Sequence, residues 1–344
     1  VTATDSSTLG AYELESTAEI TNSSGTADAA AAKTALTALL NDAADYTVKG
    51  SFGSATVKVD AGADARDVAK SFNLSAGTTG INATAITKAS ITGLGKATTI
   101  SFTLQGKSSS ASTVNATVDS TSNLTALKDA INSVSGATGI SASLTTDLSG
   151  INLVQQEGYD IVIGDVTTSH ASGTMTIKVA DKAGTAQGTE QTLKGFTTAD
   201  DSVAMVGQVS LSSHKAFTVA SGDAANHFAT DTSAQTSTLQ SMGAIDISSQ
   251  TGATKALSVI DGAIAMISEV RSEMGAAENR LTSTVDNLSN VSVNTQRSLT
   301  AVEDANFASE TSALTKAQIL QQAATSMLAQ ANKAKQTMLV LLQG

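Results

Sequence analysis

The chain has 344 residues and contains no cysteine, no proline and no tryptophan, and its aromatic content is 3%. Without cysteine it has neither disulfides nor a thiolate metal site. Without proline, turns depend on Gly, Asn, Asp and Ser. Scarce aromatics leave few large core side chains and few stacking platforms for bases or sugar rings.

Basic charge is also scarce, with 20 Lys and Arg against 31 Asp and Glu and a formal charge of -11. No basic stripe is present, which argues against nucleic acid and anionic membranes as partners. No apolar run reaches the roughly 18 residues of a membrane-spanning helix, and Val1 is not followed by a cleavable signal pattern. The length instead allows two or three domains.

Catalytic and cofactor motifs are likewise lacking. His170, His214 and His227 are far apart and belong to no HExxH sequence, and there is no GxxxxGK[ST] loop, GxGxxG turn or GxSxG elbow. We therefore expect no enzyme activity, no cofactor and no bound metal.

Composition changes near residue 250. Before it, short alternating segments between Gly, Ser, Asn and Asp clusters predict strands, and Ala27 to Ala44 predicts a helix. The predicted strands are 55–59, 98–104, 160–163, 174–179 and 206–211.

An internal repeat appears between residues 57 and 143 when the chain is shifted by 59 positions. "VDAGADARDVAKSFNLSAGTTGINAT" then matches "VDSTSNLTALKDAINSVSGATGISAS" without a gap. Each copy predicts a strand, a short helix and a strand. The helices would begin at Asp64 and Asn123, bury the pairs Val68 with Phe72 and Leu127 with Ile131, and stop at left-handed Gly77 and Gly136.

From Leu257 onward, steps of three and four residues place side chains on one seam of a long helix that needs a partner helix. An ordinary core helix is the alternative. Arg271 and Glu278 interrupt the seam at positions that commonly set register. The seam residues expected at partner contacts are Leu257, Ile260, Ile264, Ile267, Arg271, Met274, Glu278, Leu281, Val285 and Leu288.

The final stretch carries a second apolar stripe, in which Ala allows close helix approach and Met adapts to uneven surfaces. A helix whose apolar stripe has no core in its own chain should order on assembly or bind a protective partner. The stripe residues expected at such contacts are Leu314, Leu320, Met327, Leu328, Met338, Leu341 and Leu342.

These residues resemble the C-terminal part of bacterial flagellins. The segment from Ala244 looks like the family's return strand and outer-tube helix, with Ile260-Asp261, Gly275-Ala276 and Asn279-Arg280-Leu281. The segment from Val302 looks like the inner-tube helix, with Ile319-Leu320, Gln322-Ala323 and Leu328 to Asn332. Lys335 stands where the family often has Pro, and Asn306 where it often has Asp.

The resemblance implies an α+β multidomain protein with long coiled-coil-type C-terminal helices and a β-rich outer region that contains two strand-helix-strand repeats. The expected divisions are 1–46 and 47–166 in the outer region, 167–250 with the return strand, 251–303 as outer-tube helix and 304–344 as inner-tube helix. Nothing in Val1 to Asn41 looks like the family's N-terminal segment, so we expect further residues before Val1.

The function implied is a subunit that polymerises with itself into the extracellular flagellar filament after type III export. Its implied partners are the export chaperone on the C-terminal helix and the hook-associated and cap proteins, with no nucleic acid and no membrane. The alternatives are a hook-filament junction protein and a surface adhesin or glycan-binding flagellin-like protein.

Overall fold

The alternating segments before residue 240 form strands, and all five strands predicted above overlap a strand of the computed structural model. The structure describes residues 5–16, 20–22, 29–39, 45–195, 200–221, 228, 233–248, 250–342 and 344. It divides into two units, Val1–Val270 and Arg271–Gly344. All described strands belong to the first unit.

The described helices are one very long helix and five short ones, with one 3₁₀ helix at Met242–Ala244. Among them, none has a stretch apolar enough to cross a lipid bilayer. Their bounds are α1 (Ala29–Leu39), α2 (Ala65–Leu74), α3 (Ala76–Thr79), α4 (Thr125–Ser133), α5 (Ser135–Thr138) and α6 (Gln250–Leu341).

Seventeen described strands make three antiparallel sheets. Their bounds are β1 (Gly10–Glu15), β2 (Ile20–Asn22), β3 (Asp45–Lys49), β4 (Ser54–Lys58), β5 (Asn82–Leu94), β6 (Thr98–Gln105), β7 (Ser112–Val118), β8 (Ile140–Leu144), β9 (Ile151–Gln155), β10 (Ile161–Thr168), β11 (Thr174–Ala180), β12 (Ala186–Lys194), β13 (Val203–Met205), β14 (Gln208–Ser213), β15 (Thr218–Ser221), β16 (Gln235–Thr236) and β17 (Thr238–Ser241).

The largest sheet runs β12-β11-β5-β14-β1-β17, with β9 beside β5 and β8 beside β9. The second runs β2-β13-β10-β6-β7 and the third β16-β15-β3-β4. Three separate apolar cores fill the spaces between sheets and helices, two large ones around α4 and α2 and a small one at α1. The first unit therefore has apolar cores of its own.

Helices α2 and α4 bury the apolar pairs expected of them, Val68 with Phe72 and Leu127 with Ile131. Asp64 is the N-cap residue of α2. Asn123 stands one residue before the N-cap of α4, and its Oδ1 accepts a hydrogen bond from the Thr125 N–H at 3.1 Å.

The prediction for the glycine stops was wrong. Gly77 and Gly136 lie inside α3 and α5, and the left-handed residues are Gly80 (φ 73°) and Gly139 (φ 70°). In both places the chain makes one further helical turn before it reverses. The C-cap glycine is needed only after that turn.

An asparagine on each short helix holds the following strand. The side-chain amide of Asn73 donates to the Ala83 carbonyl and accepts from the Ala83 N–H, both at 2.8 Å. Asn132 makes the same two bonds with Ala142, at 2.9 and 2.8 Å. Each amide thus pairs with the N–H and carbonyl of a strand residue, as the backbone of a neighbouring strand would.

The long helix differs from expectation at two places. It continues through the expected division at residues 303 and 304, because no Pro exists in the chain and no Gly occurs between Gly275 and Gly344. The return strand expected from Ala244 is not there. Strand β17 ends at Ser241, and Ile245 to Ser248 belong to no strand.

Replacing Asn132 by Ala should lower the free energy of unfolding of the first unit by about 1–3 kcal/mol, because the part-buried N–H and carbonyl of Ala142 lose their partners. Asn73→Ala should cost a similar amount. Urea unfolding followed by circular dichroism measures both. The control is Asn115→Ala on the exposed face of β7, whose free energy of unfolding should stay within about 0.5 kcal/mol of wild type. Equal losses in all three variants would contradict the role of Asn73 and Asn132 in holding the following strand.

Candidate assembly surface

The first five turns of α6 belong to the first unit and pack on it through one face. Ala256, Val259 and Ala263 are buried there. A Cβ placed on Gly262 would lie 2.7 Å from the Ala11 Cβ and 2.8 Å from the Gly10 carbonyl oxygen. This helix face therefore lies close against β1, and a glycine is required at the closest point.

Polar contacts fix the same stretch of helix. The Ser258 hydroxyl donates to Glu13 Oε1 at 2.6 Å. The Lys215 ammonium pairs with Glu269, and His214 Nε2 lies 3.3 Å from Glu269 Oε2. The hydrogen bond from Lys215 is the main reason that the pKa of Glu269 is lowered. Strand β1 and the turn after β14 thus orient the helix.

The predicted seam begins on a different face of this stretch. Each residue advances a helix by about 100°, so Ile260 and Ile264 point about a quarter turn away from Val259 and Ala263. Leu257, Ile260, Ile264 and Ile267 are all exposed. This part of the seam is therefore accessible on the surface of the first unit.

Beyond Val270 the remaining seam residues are also exposed on α6: Arg271, Met274, Glu278, Leu281, Val285 and Leu288. The residues of the C-terminal stripe are exposed as well, each between 59% and 86%. Its members are Leu314, Leu320, Met327, Leu328, Met338, Leu341 and Leu342. One helix thus displays two predicted contact sets, neither buried within its unit.

Two open grooves along this helix are largely apolar. One is lined by Met274, Leu281 and Val285, and the other by Phe307 and Ile319 among others. Large exposed apolar surfaces of this kind mark sites where another protein surface packs.

Charge is divided unequally between the two units. From Arg271 to Gly344 there are six basic and six acidic residues, so the whole net charge of -11 falls before Arg271. Two copies of the second unit can therefore approach without net repulsion. The surface with exposed apolar side chains is also the electrically neutral part of the chain.

No candidate metal centre emerges from the described residues, where no three carboxylate or imidazole side chains are placed to hold an ion. His170 and His214 lie in different parts of the first unit, and His227 lies outside the described residues.

Sequence reasoning missed the face of α6 that packs on β1. Ala256, Val259 and Ala263 are spaced i, i+3, i+7, which is a helical pattern of its own. Small residues at these positions, with Gly262 between them, carried a usable signal. The larger Leu and Ile of the seam obscured it.

Two protein-family models match the chain. The bacterial flagellin C-terminal helical region matches residues 257–342, and the flagellin hook IN motif matches residues 99–156. The first match covers nearly all of α6 and the second covers β6 to β9. The class they define is that of flagellar filament proteins.

Individual relatives agree. The B-type flagellin of Pseudomonas aeruginosa is 35% identical over 219 residues, which is 63% of this chain and 44% of that protein. Flagellin A of Vibrio cholerae is 44% identical over 99 residues, which is 29% of this chain and 26% of that protein. The chain thus spans less than half the length of these curated relatives.

Among solved structures, the flagellar cap protein FliD from Helicobacter pylori is 12% identical, with a TM-score of 0.19, over 69% of this chain and 86% of that chain. A score this low carries no argument. The family models and the curated relatives are those of bacterial flagellins, which confirms the resemblance seen in the sequence.

Two glycines of α6 provide a matched test of its attachment. Gly262→Ala should destabilise the first unit by about 1–3 kcal/mol, because the new methyl group meets β1 backbone. Gly275→Ala meets nothing within 4 Å and should stabilise the helix by about 0.5–1 kcal/mol. Urea unfolding and amide hydrogen exchange of β1 measure the effects. Equal changes in both variants would contradict the close packing of α6 on β1.

Proposed function

We propose that this chain is part of a structural subunit that polymerises into the bacterial flagellar filament and thereby serves motility. Flagellins are a structural protein family, and the role needs no catalytic residue or cofactor. The location that follows is outside the cell, in the filament, after export by the flagellar type III route.

The observation that carries this proposal is the exposure of the apolar side chains of α6. Each of the seven C-terminal stripe residues is more than half exposed, and burying one Leu or Met side chain is worth about 1.5–3 kcal/mol. Summed over a stripe, this is a strong drive to associate. Helices of the same subunit and of neighbouring copies would supply the missing contacts.

The geometry of such contacts favours a polymer. The seam from Leu257 to Leu288 and the stripe from Leu314 to Leu342 are different surfaces, so a contact between them in two copies is heterologous. Heterologous contacts that do not close into a ring propagate as a helical filament. In this arrangement 251–303 serves as the outer-tube helix and 304–344 as the inner-tube helix.

The heptad spacing of the seam supports packing in the manner of a coiled coil. Arg271 and Glu278 are one heptad apart and exposed, and each would meet a charged or polar partner at one alignment only. We propose that they fix register between helices at a cost in stability.

Other partners follow from the family. We propose that the export chaperone covers the stripe from Leu314 to Leu342 before assembly, since this stripe is the most exposed apolar surface of α6. The hook-associated and cap proteins would meet the same helical surfaces at the filament ends. The flagellin matches do not favour the alternatives of a junction protein or an adhesin.

We also infer that the first unit contains two copies of one seven-element arrangement. Copy A consists of β3, β4, α2, α3, β5, β14 and β15. Copy B consists of β6, β7, α4, α5, β8, β9 and β10. The strand pairings agree, since β3–β4 corresponds to β6–β7, β5–β14 to β8–β9, and β3–β15 to β6–β10.

The register of pairing supports this equivalence at single residues. Ala83 pairs with Leu211 in copy A, and Ala142 pairs with Leu153 in copy B. The same two alanines are the ones held by Asn73 and Asn132. Because β6 to β13 lie in the chain between β5 and β14, copy B is inserted into copy A.

The filament role predicts that a charge in the C-terminal stripe blocks growth. Leu320→Glu in the full-length protein should raise the critical concentration for assembly at least tenfold, because a carboxylate would enter an apolar contact. Gln322→Glu adds the same charge two residues away, on the opposite side of the helix, and should stay within about twofold of wild type.

Growth is measured by electron microscopy after seeding with filament fragments, and circular dichroism checks that both variants keep their helix. Deletion of Leu314 to Gly344 should abolish growth without changing the unfolding of the first unit. Wild-type assembly by Leu320→Glu, or equal inhibition by both substitutions, would show that the stripe is not an assembly surface.

A further inference from the structure

Sulfur chemistry in this chain is confined to seven methionines, because no cysteine is present. Two of them, Met175 and Met205, are fully buried in the first unit. Met327 and Met338 are at the other extreme, 74% and 69% exposed on α6. An oxidant dissolved in water therefore reaches the sulfur atoms of these two side chains directly, whereas the buried pair is shielded by the fold.

Met327 and Met338 lie close to the middle line of the C-terminal stripe. Each residue turns the helix by about 100°, and about 18 residues make five full turns. Leu320, Met327 and Met338 therefore point in directions that differ by about 20° or less. Leu328 lies to one side of this line and Leu341 to the other. A change of polarity at the two methionines would thus fall in the centre of the apolar surface.

Hydrogen peroxide and related two-electron oxidants convert a thioether into a sulfoxide. The sulfur atom donates an electron pair to one peroxide oxygen, the O–O bond breaks, and the other oxygen leaves with both protons as water. Sulfur is oxidised and peroxide is reduced. The product is a polar, chiral side chain in place of a flexible apolar one. A sulfoxide oxygen that enters an apolar contact without a hydrogen-bond donor costs free energy.

We propose that Met327 and Met338 are oxidation sites through which peroxide switches off the assembly surface of the free subunit. This inference rests on the filament role proposed above, because the polarity of the stripe matters only if the stripe is a contact surface. Packing of the stripe in the filament shields both sulfur atoms, so oxidants act on unassembled subunits and leave existing filaments in place. Methionine sulfoxide reductases reverse the change.

Peptide mass spectrometry after timed treatment with hydrogen peroxide locates the reaction. In the free full-length protein, Met327 and Met338 should be oxidised about fivefold or more faster than Met175 and Met205, because their sulfur atoms are accessible. Assembly on filament seeds should slow their oxidation by a similar factor. Equal rates at all four methionines of the folded subunit, or equal rates at Met327 and Met338 before and after assembly, would overturn the proposal.

Seeded growth measures the consequence. Peroxide treatment of the wild-type subunit should raise the critical concentration for assembly by about fivefold or more, and a methionine sulfoxide reductase should restore it. The double variant Met327→Leu/Met338→Leu keeps apolar side chains of similar volume and should stay within about twofold of untreated wild type, with or without peroxide. Met242→Leu changes an exposed methionine of the first unit and should remain as sensitive as wild type.

The untreated protein separates two kinds of failure. If untreated wild type does not extend the seeds, the filament role fails and this inference fails with it. If untreated wild type grows, but treated double variant loses as much growth as treated wild type, only the inference about Met327 and Met338 is overturned. The same conclusion holds if the reductase removes the sulfoxides without restoring growth.

Discussion

The apolar side chains displayed by α6 beyond Val270 impose the main constraint on this molecule. A helix in water gains little from its own hydrogen bonds and depends on packing for stability. The seven stripe residues from Leu314 to Leu342 are more than half exposed. The second unit therefore has a surface open to packing by other helices, and the absence of Pro from the chain and of Gly between Gly275 and Gly344 lets that surface extend without interruption.

The first unit differs from the second in both burial and charge. It buries three apolar cores of its own and carries all of the net charge of -11. Like charge opposes contact between the first units of two copies, whereas the second unit, with no net charge, carries no such penalty.

Much of this architecture was readable from the sequence, and the limits of that reading have physical causes. Alternation and heptad spacing report local burial, so the strands and the long helix were predicted, as were Val68, Phe72, Leu127 and Ile131 in the cores. The extra turn before Gly80 and Gly139 was missed, because Gly77 and Gly136 are equally plausible stops in isolation. The pairing of Ala83 with Leu211 was not predicted either. In the proposed repeat β14 corresponds to β9, but copy B lies in the chain between β5 and β14, so a constant shift of 59 positions does not align these two strands.

The surface of α6 was likewise predicted only in part. The apolar side chains spaced three and four residues apart predicted a surface that would contact a partner. They did not predict which face of the first turns of α6 packs on the β-rich unit. Size decided that choice: Gly262 lets the helix backbone approach β1 closely, and the small Ala256 and Ala263 are buried in the first unit. By placing small residues on the inner face and large ones on the outer face, the sequence attaches α6 to the β-rich unit and keeps the larger apolar surface, worth more on burial, free for contacts beyond this unit.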